Sequence, residues 1–368
     1  MNDAWHYTPA GQPRARMLNI PFEGQPGALN AITDVPGVEV GYVTLIEGDS
    51  IRTGVTALLP RGKQNVGVSC ASGFHSFNGN GEMTGSHWLM ETGSLAWPVL
   101  ITNTFAVGPC HRGVLDWVAR EQPGKTPWDF PVVGETYDGF LNDINRSYVT
   151  AEHAVQAIDN AVGGSIEEGS VGGGTGMTCY GFKGGNGTAS RKVRYGGADY
   201  TVGAFIQANF GARAQLTIAG RPVGKMMTDD SPAAETGWSL PQGAGSAIVV
   251  IATDAPLLPQ QCSALARRAT LGLGRTGTTG AHSSGDIFLA FSTGNPGALD
   301  SPAQAQEESL TTMEFVPWPG IEPFLQASVY AVEEAVVNAL VTNQTMVGHM
   351  GNRSPAISRE RLVGLFSE

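Results

Sequence analysis

A Gly-Ser step, Gly245-Ser246, stands where a breaker-rich loop meets the apolar run Ala247-Ile-Val-Val-Ile-Ala252. The run reads as a buried strand, so a serine at its mouth is held by rigid backbone. Gly245 allows backbone conformations closed to other residues and leaves its own carbonyl open to attack. A hydroxyl placed there can attack that carbonyl, convert the amide to an ester and let water divide the chain. The new chain starts at Ser246, with a hydroxyl nucleophile and an α-amine of reference pKa about 7.7–8.0. An amine titrating near neutrality can take the hydroxyl's proton. Upstream, RPVGKMMTDDSPAAETGWSLPQGAG carries no periodic apolar pattern. Roughly two dozen structureless residues inside a compact domain tend to be functional or disordered. An ordinary turn ahead of a strand gives the same dipeptide with no chemistry.

Other stretches offer partners for such a serine. Ser284 and Asp286 lie two apart at the mouth of the apolar run Asp286-Ile-Phe-Leu-Ala-Phe291, so on extended chain they face the same way. Asp286 can stay ionised and orient the amine, while Ser284 relays a proton or fixes the geometry. Equally, small polar residues at a strand mouth can serve only to satisfy the backbone. Asn209 ends the alternating run Tyr200–Asn209. Its NH₂ can donate to a developing oxyanion, worth on the order of 3 kcal/mol of barrier, although an Asn close to a Gly also suits a turn. Glu135, Tyr137, Asp138 and Asp143 cluster beside a strand end. A carboxylate near a scissile bond selects substrates bearing a free ammonium; the alternative is a solvated acidic loop. His282 could join Ser246 or Ser284 and Asp286 in a Ser-His-Asp set, but no GxSxG elbow exists, and it reads as a loop histidine. His75, His87, His111, His153 and His349 show no metal-ligand spacing. Val171-Gly-Gly-Gly-Thr-Gly-Met177 lacks the Lys-Ser/Thr of a phosphate loop. Gly272-Leu-Gly-Arg-Thr-Gly277 fits GxGxxG but follows a helix rather than a strand. Neither a metal nor a cofactor is expected.

The segment GSAIVVIATDAPL resembles the start of the β-chain in self-processing aminopeptidases of the DmpA/BapA type (L-aminopeptidase/D-esterase and β-peptidyl aminopeptidases). The resemblance runs from Asn30-Ala-Ile-Thr-Asp-Val-Pro-Gly-Val38 to the C-terminal helix. It implies cleavage at Gly245-Ser246, Ser246 as nucleophile, Asn209 at the oxyanion, and a serine and carboxylate pair at Ser284 and Asp286. Some members carry Glu where this chain has Asp286. It also implies that Glu135 holds the substrate's amino group and that Tyr137 lies beside the reacting centre. The fold implied is α/β, a four-layer α-β-β-α sandwich of the self-processing N-terminal-nucleophile type. Residues 1–245 and 246–368 would be the α- and β-chain segments of one intertwined domain, with an N-terminal arm over 1–27 and a processing loop over 222–245. A homotetramer of αβ units is implied as well. The expected activity is release of N-terminal amino acids from short peptides, amides or esters, β-amino acid or D-alanyl substrates included, through an acyl-enzyme and without a cofactor. Two rivals remain: an acyltransferase of the ornithine acetyltransferase type, which self-cleaves at threonine, and a non-catalytic binding protein.

Composition agrees with a folded enzyme. A 41% hydrophobic and 15% charged chain of 368 residues is a well-buried globular protein. Its 50 glycines, about twice average usage, read as tight loops on a layered fold. A net charge of −11 argues against nucleic acid and anionic membranes and suits a cationic substrate. Four dispersed cysteines read as buried free thiols of a cytoplasmic protein. The N-terminus lacks a secretory apolar region, and its Pro- and Gly-rich first residues suggest an arm for subunit contacts. No apolar run is expected to span a bilayer. Strands are expected over 38–43, 54–59, 66–70, 99–104 and 200–209, and a glycine-rich loop over 73–85. Helices are expected over 88–95, 110–121, 150–162, 259–271 and 323–343, the last with one buried face covering the sheet that holds Ser246.

Overall fold

Ala247, Val249 and Ile251 belong to one apolar core, and Ile248, Val250 and Ala252 to another. The Ser246 strand is therefore buried on both faces and must sit inside a layered structure. The computed structural model describes residues 3–124, 130–232, 245–300 and 310–367. In chain order the elements are β1 (Glu39–Glu47), β2 (Ile51–Leu59), β3 (Cys70–Ser76), α1 (Ser86–Thr92), β4 (Ser94–Leu95), β5 (Val99–Asn103), α2 (Val107–Glu121) and β6 (Val132–Thr136). Then follow α3 (Ala151–Asp159), β7 (Thr178–Cys179), β8 (Phe182–Lys183), β9 (Gly185–Tyr195), β10 (Ala198–Asn209) and α4 (Val223–Met226). After them come β11 (Gly245–Thr253), α5 (Pro259–Arg275), β12 (Ser284–Ser292) and α6 (Glu322–Val341).

Two large sheets form, one in the order β1-β2-β5-β6 and one in the order β4-β3-β12-β11-β10-β9. Their facing sides share a core in which Val40, Leu58 and Ile101 meet Phe205, Ile248 and Leu289. On the outside of the smaller sheet, Val55, Ala57 and Val133 pack under Val114 and Trp117 of α2 and Ile158 of α3. On the outside of the larger, Ala204, Val249 and Phe288 pack under Leu265 of α5 and Val336 of α6. This is the expected α-β-β-α sandwich, with three apolar layers between four structural ones.

Several elements depart from the sequence expectation. No strand forms over 66–69; β3 begins at Cys70 and takes in Gly73–Ser76, expected as loop. A Cβ on Gly73 would lie 2.0 Å from the Ser263 nitrogen, so this glycine lets α5 lie on the strand. Gly187 does the same under α6, where a Cβ would fall 2.0 Å from the Ala335 carbonyl. Such glycines serve close packing between layers rather than turns. Gly272 and Gly274 fall inside α5, which ends four residues later than expected, at Arg275. Thr150 caps α3 as expected, accepting from the His153 amide.

The C-terminal helix differs most. It was expected to bury one face, yet α6 is enclosed almost all round, Glu333 and Glu334 included. By length and composition it could cross a bilayer, contrary to the expectation that no run has that reach, but here most of it is buried within the fold. The N-terminal segment reaches it at Ala15, whose N–H donates to Asn338, and at Arg16: Arg16 and, from β9, Arg191 each pair with Glu334 at 2.7 Å. Burial alone would raise Glu334, but Arg191, Arg16 and Arg14 outweigh it and hold its carboxyl at about 2. Arg14 pairs in turn with Glu168 of the same chain.

Candidate active site

Ser246 is the second residue of β11 and is 2% exposed. Antiparallel register sets it opposite Asn209, the last residue of β10, and parallel register sets it beside Gly285 of β12. Strand alternation places its side chain on the Ile248 face, between the sheets. There the Tyr137 N–H, one residue past β6, donates to Ser246 Oγ at 3.2 Å. Asn209 Nδ2 donates to the Tyr137 carbonyl at 2.9 Å, while its Oδ1 accepts from the Thr178 N–H at 2.9 Å. The asparagine amide is thus oriented from both ends. Tyr137 meets the serine through its main chain.

Gly245 is required for a reason other than backbone freedom. Its φ is not in the left-handed region. A Cβ there would lie 2.0 Å from the Asn209 carbonyl and 2.9 Å from Phe210 Cα. Crowding by β10 therefore forces β10 or the loop to shift for any larger residue. Of the expected processing loop, residues 233–244 lie outside the described residues.

Ser284 and Asp286 do face the same way. Ser284 Oγ donates to Asp286 Oδ1 at 2.7 Å, so the aspartate reaches its serine without the extra methylene of a glutamate. They share a face with Phe288, on the α5 and α6 side of the sheet, opposite the Ser246 hydroxyl. Register puts Ser284 beside Gly245 and Asp286 beside Ala247. The pair therefore flanks the main chain around the Ser246 nitrogen rather than its Oγ. Burial raises the Asp286 carboxyl above its ordinary range, and Ser284, Asn78 and the Ala247 amide partly offset this.

Asn78 is the residue that the sequence did not single out for a side-chain role. Its Nδ2 donates to Asp286 Oδ2 at 2.9 Å, and its Oδ1 accepts from the Asp286 N–H. The two residues lie 208 positions apart, and no local pattern links them. The same loop supplies a backbone donor to the site: the Glu82 N–H donates to Glu135 Oε1 at 3.0 Å. The Thr104 hydroxyl holds Oε2. Glu135 is 3% exposed, and burial raises its carboxyl. A Cβ on Gly81 would lie 3.0 Å from Gly285 Cα and 3.3 Å from Glu135 Oε1. That single glycine thus separates Glu135 from the strand beside Ser246.

His282 is exposed, and the Asp286 carboxylate is engaged by Ser284 and Asn78 instead. The four cysteines are buried free thiols, and burial pushes Cys70, Cys110 and Cys179 up to about 12. The Val171–Met177 glycines form a buried turn between the sheets, where the Gly173 N–H donates to Thr56. What the strands assemble is a hydroxyl, an amide donor fixed across from it, and a serine–carboxylate pair behind its main-chain nitrogen.

The profile of peptidase family S58 matches residues 30–354. A β-peptidyl aminopeptidase, BapA of Sphingosinicella microcystinivorans, is 48% identical over 92% of this chain and 88% of its own. The structure of the L-aminopeptidase D-Ala-esterase/amidase of Ochrobactrum anthropi, a serine aminopeptidase with a variant of the Ntn hydrolase fold, superposes with a TM-score of 0.89. It is 45% identical, covering 97% of this chain and 99% of that one. A Burkholderia β-aminopeptidase also gives a TM-score of 0.89, at 43% identity over 96% and 98% of the two chains. These likenesses favour neither an acyltransferase nor a non-catalytic protein, and the chain belongs to peptidase family S58 as an aminopeptidase built on the Ntn hydrolase fold.

Proposed function

We propose that the chain cuts itself between Gly245 and Ser246 and then uses Ser246 to release N-terminal residues from short peptides, amides and esters, β-amino acid derivatives included. The observation that carries this reading is the placement of Ser246 at the head of an inner strand, with Asn209 across from it and Ser284-Asp286 beside its nitrogen. In the first step the hydroxyl attacks the Gly245 carbonyl, the amide becomes an ester, and water releases a chain headed by Ser246. In turnover, the freed α-amine takes the hydroxyl's proton as Oγ attacks the substrate carbonyl. Asn209 Nδ2 and the Tyr137 N–H stabilise the oxyanion. The leaving amine takes the proton, and water then resolves the acyl-enzyme. Asp286, held by Ser284 and Asn78, orients the Ser246 amine. N-terminal sequencing of the fragments from a denaturing gel tests the proposal: the second fragment should begin with Ser246.

Glu135 is assigned to the substrate's ammonium, supported by its closeness, across Gly81, to Gly285 of β12, the residue beside Ser246. Glu135→Gln should lower kcat/KM for aminoacyl anilides about 10- to 100-fold, the scale of one charge-assisted hydrogen bond. Esters of N-acetylated amino acids, which carry no ammonium, should show no such drop. Equal losses on both substrates would remove Glu135 from this role.

Asp286 contributes to the acid side of the activity profile, alongside the Ser246 amine, which must be neutral to act as base. Asp286 must be ionised to accept a hydrogen bond from that amine, and burial raises its pKa. Activity is then present above the raised pKa and lost as pH falls through it. The acid limb of kcat should accordingly lie above the ordinary carboxylate value of about 3.9. A limb at or below that value would take Asp286 out of the step. Assembly into a homotetramer of αβ units is part of the same proposal, and light scattering of the processed protein tests it.

A further inference from the structure

Lys183, at the end of β8, is wholly buried. Its amine donates to main-chain carbonyls: Gly184 at 2.7 Å, Met177 at 2.9 Å and Gly174 at 3.5 Å. Among the described residues no carboxylate pairs with it; burial of such a lysine is costly and pushes its pKa down to about 7. Carbonyls are acceptors only, and three of them around Nζ, two within 2.9 Å and one at 3.5 Å, favour the ammonium form.

One of these carbonyls leads to the active site. Met177 C=O and Thr178 N–H are the two ends of a single peptide group. Its carbonyl accepts from Lys183 Nζ, and its N–H donates to Asn209 Oδ1 at 2.9 Å. The Asn209 amide in turn presents Nδ2 on the Ser246 side, now bound to the Tyr137 carbonyl. Amides linked head to tail polarise one another, so a positive charge at one end makes the N–H at the other a stronger donor. The same link keeps Asn209 from flipping, because Thr178 offers a donor that only Oδ1 can accept.

We propose that Lys183 is a positioning residue for catalysis: through the Met177-Thr178 peptide it orients and polarises the Asn209 amide toward the developing oxyanion. The proposal rests on the reading of Asn209 as an oxyanion donor. Lys183 touches neither substrate nor reacting atoms.

The test is a double-mutant cycle of Lys183→Met and Asn209→Ala, read on fully processed protein with an aminoacyl anilide. Thermal melts confirm that each variant is folded. Lys183→Met should lower kcat about 5- to 30-fold with KM unchanged, as expected for an interaction made only in the transition state. In the Asn209→Ala background the same change should have almost no further effect on kcat. An unchanged kcat in Lys183→Met, or an equal loss in both backgrounds, overturns the role of Lys183 while leaving Asn209 in place. An unchanged kcat in Asn209→Ala instead removes the oxyanion reading itself. If Lys183→Met does not fold, Lys183→Gln, which keeps two donors without the charge, is read in the same cycle.

Discussion

Ser246→Ala is expected to remain one uncut chain and to lose amidase turnover. The serine is 2% exposed on a strand enclosed by two cores, and alanine fills less space with the same backbone preference. The change removes one acceptor, that of the Tyr137 N–H, at a cost of about 1–3 kcal/mol of stability. Folding should therefore survive while chemistry does not. Removing the nucleophile of a serine protease costs about 10⁶ in kcat, and a loss of that order is expected here. Intact mass and anilide turnover measure both consequences together. Gly245→Ala separates them, since it keeps the hydroxyl but drives a Cβ to 2.0 Å from the Asn209 carbonyl. That variant should process slowly or not at all, while any Ser246-headed chain it yields retains activity. A Ser246→Ala protein turning over substrate at the wild-type rate would place the nucleophile elsewhere.

The reach of the sequence can be judged element by element. β11 was legible because burial on both faces leaves a continuous apolar run with polar residues only at its mouth, and β10 was legible from the alternation that ends at Asn209. Ser284 and Asp286 were legible as a pair because a two-residue spacing fixes a common face. Which face that is depends on the parallel register with β11, a contact between distant segments. β9 was not foreseen. Its run Gly-Asn-Gly-Thr-Ala-Ser-Arg-Lys-Val-Arg-Tyr shows no strand pattern, because α6 presses close at Gly187 and Arg191 turns inward to Glu334. The high glycine content misled for the same reason, since several glycines mark contact between layers. Asn78 could be placed in a loop over the site, but its hold on Asp286 spans 208 residues. In each case local chemistry survived in the pattern, and what required two remote segments did not.

Asn209→Ala should lower kcat by about 10²- to 10³-fold, the usual effect of deleting one oxyanion donor, with KM little changed. Some stability will go too, because the Thr178 N–H and the Tyr137 carbonyl both lose a partner. A lower melting temperature alone therefore says nothing about catalysis. Asn209→Asp distinguishes the roles. Its carboxylate has nearly the shape of the amide and still accepts from Thr178, so packing is kept better than in the alanine variant. Where Nδ2 donated, however, it presents an acceptor to the Tyr137 carbonyl and negative charge to the oxyanion. If Asn209 serves as a donor, kcat should fall in the order wild type, Ala, Asp, the reverse of what size and packing predict. Lowering the pH should partly restore the aspartate variant relative to alanine, because a protonated carboxyl can donate again. An aspartate variant more active than the alanine variant at neutral pH would mean that the side chain only supports the Thr178 end of β7.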